Sequence, residues 1–148
     1  VSGIRDAFRN RERPAFVGYI VAGDPDPDTS LAVAKAMIDA GAALLEIGVP
    51  FSDPMADGVT IQRAHERALR SGVRTEEVFS LVRAIRAYSA LPIVLFTYYN
   101  ILYRQGPERF VARLRDAGAD GLLIVDLPFE ESEEIARMAA LCDIDLIR

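Results

Sequence analysis

A glutamate set in an otherwise apolar run is the first feature with chemical potential. Glu46 lies within Leu44-Leu45-Glu46-Ile47-Gly48-Val49. Strand alternation places Leu44, Glu46 and Gly48 on one face and Leu45, Ile47 and Val49 on the other. A carboxylate in such a setting is costly to ionise unless paired, and desolvation raises its pKa. It serves either as a structural acid, ion-paired or hydrogen-bonded in a core, or as a group that moves protons. The loop that follows, Pro50-Phe51-Ser52-Asp53-Pro54-Met55-Ala56-Asp57-Gly58, is stiffened by two prolines and adds two more carboxylates. Asp and Gly are also ordinary turn formers. A buried Glu46 and a more solvated Asp57 near one mouth would nevertheless have their pKa values pushed apart, which is what dividing acid and base roles requires.

The elements that must position these groups follow from the apolar pattern. Runs at 16–21, 44–49, 93–98, 122–125 and 144–147 read as strands. Helical patterns cover about 28–40, 61–71, 75–88, 107–117 and 131–142. Asp28, Thr29 and Ser30 offer caps to the first of these helices, and Gly41 offers its C′ residue. The strands are nearly continuous in Leu, Ile and Val, as in a parallel sheet covered by helices on both faces. The predicted class is therefore α/β, a single domain over 1–148. Its architecture is a (β/α)8 barrel represented by about five parallel strands, with a small doubly wound sheet as the alternative. A complete barrel needs about 250 residues, and this chain has 148. In a barrel, Glu46 falls near the C-terminal end of its strand, where such folds keep their chemistry.

Composition narrows the function classes. With 17 basic and 22 acidic residues the net charge is -5, so no basic surplus exists to neutralise a nucleic acid backbone. One cysteine, Cys142, excludes an intrachain disulfide and is read as a small core hydrophobe. One histidine, His65, argues against a multi-histidine metal site and is read as a surface or partly packed helix residue. The longest charge-free run, Ala87 to Tyr103, is interrupted by Ser89, Pro92, Thr97 and Asn100, and falls short of the ~20 residues that span a bilayer. The amino end carries Arg5, Asp6, Arg9, Arg11, Glu12 and Arg13, unlike a secretory leader. These features predict a soluble, cytoplasmic protein. Asp24 reads as a turn residue and Asp126 as a loop-orienting group. Glu130, Glu131, Glu133 and Glu134 suit the start of a helix.

Four segments carry a resemblance. They are FVGYIVAGDP (Phe16 to Pro25), LEIGVPFSDPMADGVTIQ (Leu45 to Gln62), LFTYYNIL (Leu95 to Leu102) and ADGLLIVDLPFEES (Ala119 to Ser132). In order and spacing they resemble the tryptophan synthase alpha chain family. The resemblance implies a (β/α)8 barrel lyase that cleaves indole-3-glycerol phosphate to indole and glyceraldehyde 3-phosphate in tryptophan biosynthesis. It implies that Glu46 moves protons between the glycerol hydroxyl and the ring carbon. Asp57 would accept the indole N–H and stabilise positive charge on the ring. Tyr19, Phe96, Tyr98, Leu123 and Val125 fall where the family lines its indole slot, although barrel-core packing would also account for them. Tyr19 stands where the family commonly has Phe, Phe96 where it has Leu, and Val125 where it has Ala. Asp53, Pro54 and Asn100 match positions that face a partner β chain in an α2β2 complex; turn chemistry is the other reading. Pyridoxal phosphate is expected only in that β chain, with no cofactor or metal in this one.

Two rival readings remain at this level. Other phosphate-binding barrels lean on strand-borne lysines, whereas the single lysine here, Lys35, lies in a helical pattern. The glycine-rich phosphate loop found after strands seven and eight of such barrels is not in these residues. Phosphate-binding residues are thus expected beyond Arg148, and residues 1–148 alone are expected to be inactive as a lyase. They could instead act only as a partner-binding module. An open sheet with exposed edges would also tend to self-associate.

Overall fold

The computed structural model describes residues 3–9 and 13–148; Arg11 and Glu12 of the amino-terminal reading lie outside them. Along the chain run α1 (Gly3–Phe8), β1 (Val17–Val21), α2 (Pro27–Asp39), β2 (Leu44–Gly48), α3 (Val59–Arg70) and α4 (Thr75–Tyr88). They are followed by β3 (Ile93–Thr97), α5 (Tyr99–Gln105), α6 (Pro107–Ala117), β4 (Gly121–Ile124), a 3-10 turn (Phe129–Glu131), α7 (Glu133–Leu141) and β5 (Asp145–Ile147). The five strands form one parallel sheet in the order β1-β2-β3-β4-β5. Sequential order with helical crossovers is the topology of a β/α barrel wall, and it excludes the doubly wound alternative, whose strand order reverses.

The register sorts the side chains into two sets. Tyr19 pairs with Glu46, Glu46 with Val94, Val94 with Gly121 and Gly121 with Asp145. One layer closer to the strand C-termini, Val21, Gly48, Phe96, Leu123 and Ile147 are paired in the same way. Residues in register share a face, so these two layers line the side that a barrel turns inward. The alternate set, including Leu45, Ile47, Ile93, Leu95 and Leu122, is fully buried against the helices together with Phe79, Ile85, Phe110 and Leu114. Burying a side chain of this size contributes about 1.5–3 kcal/mol. The main core therefore lies between sheet and helices and leaves the other face for the site.

Local chemistry adjusts several boundaries. The cap of α2 is Asp26, not Asp28, Thr29 or Ser30. Its carboxylate accepts the Thr29 N–H at 2.8 Å and the Thr29 hydroxyl at 2.7 Å, and Pro27 opens the helix. Gly41 lies just past its end at φ +90°, the left-handed conformation that glycine adopts without strain. The short helix α5 follows β3 directly, where the sequence pattern suggests none. Its first amide, Tyr99 N–H, donates to Asp126 Oδ1 at 2.7 Å, so its cap comes from the loop after β4. The charge-free run is divided among α4, β3 and α5, and no helix of the described residues is long and apolar enough to cross a membrane.

Candidate active site

Glu46 sits mid-strand on the barrel-inward face, half-buried, in register with Tyr19. Burial raises its pKa from the ordinary glutamate value. Beside it, Gly48 makes room for the Tyr19 ring. A Cβ at position 48 would stand 2.4 Å from the Tyr19 hydroxyl. The Tyr19 and Phe96 rings meet edge to face at 5.5 Å between centroids. The Tyr19 hydroxyl is buried and has no hydrogen-bond partner among the described residues. Desolvation raises its pKa most, and the charges of Asp57, Tyr98 and Glu46 add to the rise. That phenol thus feels both candidate carboxylates.

Asp57 is fixed by contacts that converge on the loop between β2 and α3. Tyr98 Oη donates to Asp57 Oδ2 at 2.7 Å and accepts the Ala56 N–H at 3.1 Å. Phe51 stacks on the Tyr98 ring at 4.9 Å. Gln62 donates from Nε2 to the Asp57 carbonyl at 2.9 Å, tying the loop to the first turn of α3. Burial, followed by the bond to Asp57, pushes the Tyr98 phenol up to about 12.

The structure gathers most of the expected residues on one surface. Tyr19, Glu46, Phe96 and Leu123 share the inward face, and Tyr98 joins Asp57 to it. Leu123 and Val125 line a groove of about 480 Å³ with Leu127, Phe129 and Ile147. Asp53 and Pro54 lie in the Asp57 loop beside Met55, whose side chain is 87% exposed. Asn100 is exposed on α5. Lys35 packs over the Tyr88 ring at 5.0 Å, between α2 and α4. Among the described residues no group of three or more His, Cys, Asp or Glu side chains is placed to hold a metal ion.

Two residues differ from their sequence reading. His65 is not a surface or partly packed side chain: it is 1% exposed on the inner stripe of α3, next to Ala64 and Ala68. Its Nδ1 accepts the Phe51 N–H at 3.2 Å, and its Nε2 lies 3.3 Å from Asp57 Oδ2. The spacing Ile61, Ala64, His65, Ala68 is the helical signal for that placement. Asp24 is more than a turn residue, because its carboxylate takes a two-pronged bond from Arg67 of α3 at 2.6 and 2.8 Å. Cys142 caps the end of α7 and packs partly against the core.

A sequentially wound parallel sheet with helical crossovers, carrying an acid on its inner face and a second carboxylate in the loop at the strand C-termini, is a β/α-barrel wall. The family model of the tryptophan synthase alpha chain matches residues 6–148, and the chain belongs to that family. It is 52% identical over 144 residues to the tryptophan synthase alpha chain of Methanoregula boonei, covering 97% of this chain and 54% of that one. A structure of the tryptophan synthase α2β2 complex from Pyrococcus furiosus matches at TM-score 0.86 and 43% identity, over 89% of this chain and 53% of its own. The alpha subunit of Legionella pneumophila matches at TM-score 0.94 and 34% identity, over 99% and 57% respectively. The chain thus spans about half the length of the relatives it matches.

Proposed function

We propose that these residues form the catalytic wall of a lyase that cleaves indole-3-glycerol phosphate to indole and glyceraldehyde 3-phosphate. The observation that carries the reading is the placement of Glu46, an acid of raised pKa on the same face as the aromatic and aliphatic side chains of Tyr19, Phe96 and Leu123. A proton goes to the indole ring carbon that bears the side chain, and the adjacent hydroxyl of the glycerol arm loses one. The carbon–carbon electron pair then returns to the ring, releasing indole and leaving an aldehyde. A carboxyl group of raised pKa is suited to both proton transfers. Asp57, held by Tyr98, accepts the indole N–H and stabilises the positive charge that the protonated ring carries. Phe96, Leu123 and Val125 supply the apolar slot, and no cofactor is needed in this chain.

The exposed Met55 beside Asp53 and Pro54, with Asn100 on α5, supports docking of a β chain on this rim, and pyridoxal phosphate would belong to that partner. The Pyrococcus furiosus α2β2 relative supports the same assembly, and the reading places the enzyme in the cytoplasm. The five β/α units supply both carboxylates but no glycine-rich phosphate loop, so residues 1–148 alone should turn over negligibly. A position for Lys35 over Tyr88, away from the inner face, weighs against the lysine-dependent phosphate barrels. The test is indole release from indole-3-glycerol phosphate by a full-length alpha chain carrying this segment; turnover that survives Glu46→Gln would remove the assignment.

A further inference from the structure

Asp57 has a second buried neighbour besides Tyr98. His65 enters from α3, almost wholly excluded from solvent, and its two ring nitrogens have different surroundings. Nδ1 accepts the backbone N–H of Phe51 at 3.2 Å. A neutral imidazole has one acceptor and one donor, so this bond leaves the proton on Nε2. Nε2 in turn lies 3.3 Å from Asp57 Oδ2, within ion-pair distance but not aligned as a hydrogen bond, and it makes no hydrogen bond to any other of the described residues. A donor excluded from water is costly to leave unmade, and the Asp57 carboxylate is the group within its reach.

We propose that His65 is a positioning residue for Asp57, acting as a neutral Nε2–H donor that, with Tyr98, sets the orientation of the carboxylate. The proposal rests on reading Asp57 as the acceptor of the indole N–H. Both contacts fall on Oδ2, which leaves Oδ1 for an incoming N–H. The neutrality of the ring matters to the chemistry. A lysine or arginine in this place would cancel the charge that Asp57 must present to a cationic ring, whereas a neutral N–H orients the carboxylate and leaves it anionic. Burial favours the neutral imidazole and outweighs the opposing pull of Asp57. Phe51 couples the parts, since its amide holds His65 while its ring stacks on Tyr98. A role in packing alone would need only a side chain that fills the stripe between Ala64 and Ala68.

Two measurements on a full-length alpha chain carrying this segment test the idea. Nitrogen-15 NMR of the labelled imidazole should find Nε2 protonated and Nδ1 bare at neutral pH; the opposite tautomer, or a charged ring, overturns the proposal whatever the activity. Kinetically, His65→Leu fills the space without a donor and should lower kcat about 10- to 100-fold, the effect of one hydrogen bond to a charged group. Because that bond acts in the transition state, kcat/KM should fall in parallel. His65→Gln, which keeps an N–H donor, should recover much of the loss. If both variants keep wild-type kcat, or lose it only in step with their melting temperatures, His65 is merely structural. If the unsubstituted protein releases no indole, the lyase reading fails, and the tautomer measurement still decides the present proposal.

Discussion

Tyr98 Oη donates to Asp57 Oδ2 at 2.7 Å, joining the end of β3 to the loop after β2 between residues 41 positions apart. The same oxygen accepts the Ala56 N–H, so one phenol holds both the carboxylate and the backbone that carries it. The Asp57 side chain is left 12% exposed, open enough to meet a ligand and constrained enough to meet it in one orientation.

Tyr98→Phe keeps the ring that stacks on Phe51 but removes both of these bonds. It should destabilise the fold by about 1–3 kcal/mol, because the Ala56 amide and the Asp57 carboxylate each lose a partner. In a full-length chain it should also lower kcat by about tenfold, the share of one such bond. Denaturant unfolding and steady-state indole release read the two effects separately. An unchanged protein by both measures would mean that Tyr98 does not hold the loop.

Tyr19 offers the opposite case. Its hydroxyl is buried without a partner among the described residues, and leaving such a group unsatisfied costs about 1–3 kcal/mol. Tyr19→Phe should therefore raise unfolding stability, by about 1 kcal/mol. Gly48→Ala should lower it by about 1–3 kcal/mol, since the new Cβ would lie 2.4 Å from that hydroxyl and 3.0 Å from Cζ. The two substitutions should be coupled, with Gly48→Ala costing less in the Tyr19→Phe background. Simple additivity in denaturant titrations would contradict the contact.

Glu46 gives a pH signature. Its folded pKa is raised by burial, so the folded state holds its proton more tightly than the unfolded chain does. Glu46 thus adds no penalty below the unfolded carboxylate value. As pH rises through the raised folded value, ionisation makes it destabilising. Glu46→Gln should accordingly raise the melting temperature at neutral pH, and the difference should shrink towards zero in acid. A stabilisation that is equal at both ends of the range would show that ionisation is not its cause.

Much of this arrangement is legible in the residues alone. Leu45, Ile47 and Leu122 sit on the helix-facing side because strands covered by helices must be apolar there, and a lone Glu46 among them is conspicuous. Asp57 stands out for its rigid loop. What the one-dimensional pattern conceals is partnership across the fold. His65 belongs to a buried stripe whose other members include two alanines, Ala64 and Ala68, so the helical period is weak in bulk and a polar residue reads as surface. The hydrogen bond from Tyr98 to Asp57, the pairing of Asp24 with Arg67, and the capping of α5 by Asp126 each link residues dozens of positions apart. Only the pairing of the strands and the packing of the helices on them bring these residues together. In α2, the cap falls on Asp26 because Pro27 fixes the first helical turn after it.

The most direct measurement is the rate of indole release from indole-3-glycerol phosphate by a full-length alpha chain carrying these residues, with Glu46 intact and as Glu46→Gln. Loss of a general acid–base group should lower kcat by about 10²–10⁴-fold, while the melting temperature at neutral pH is retained or raised. Near-wild-type turnover by a folded Glu46→Gln protein would contradict the account.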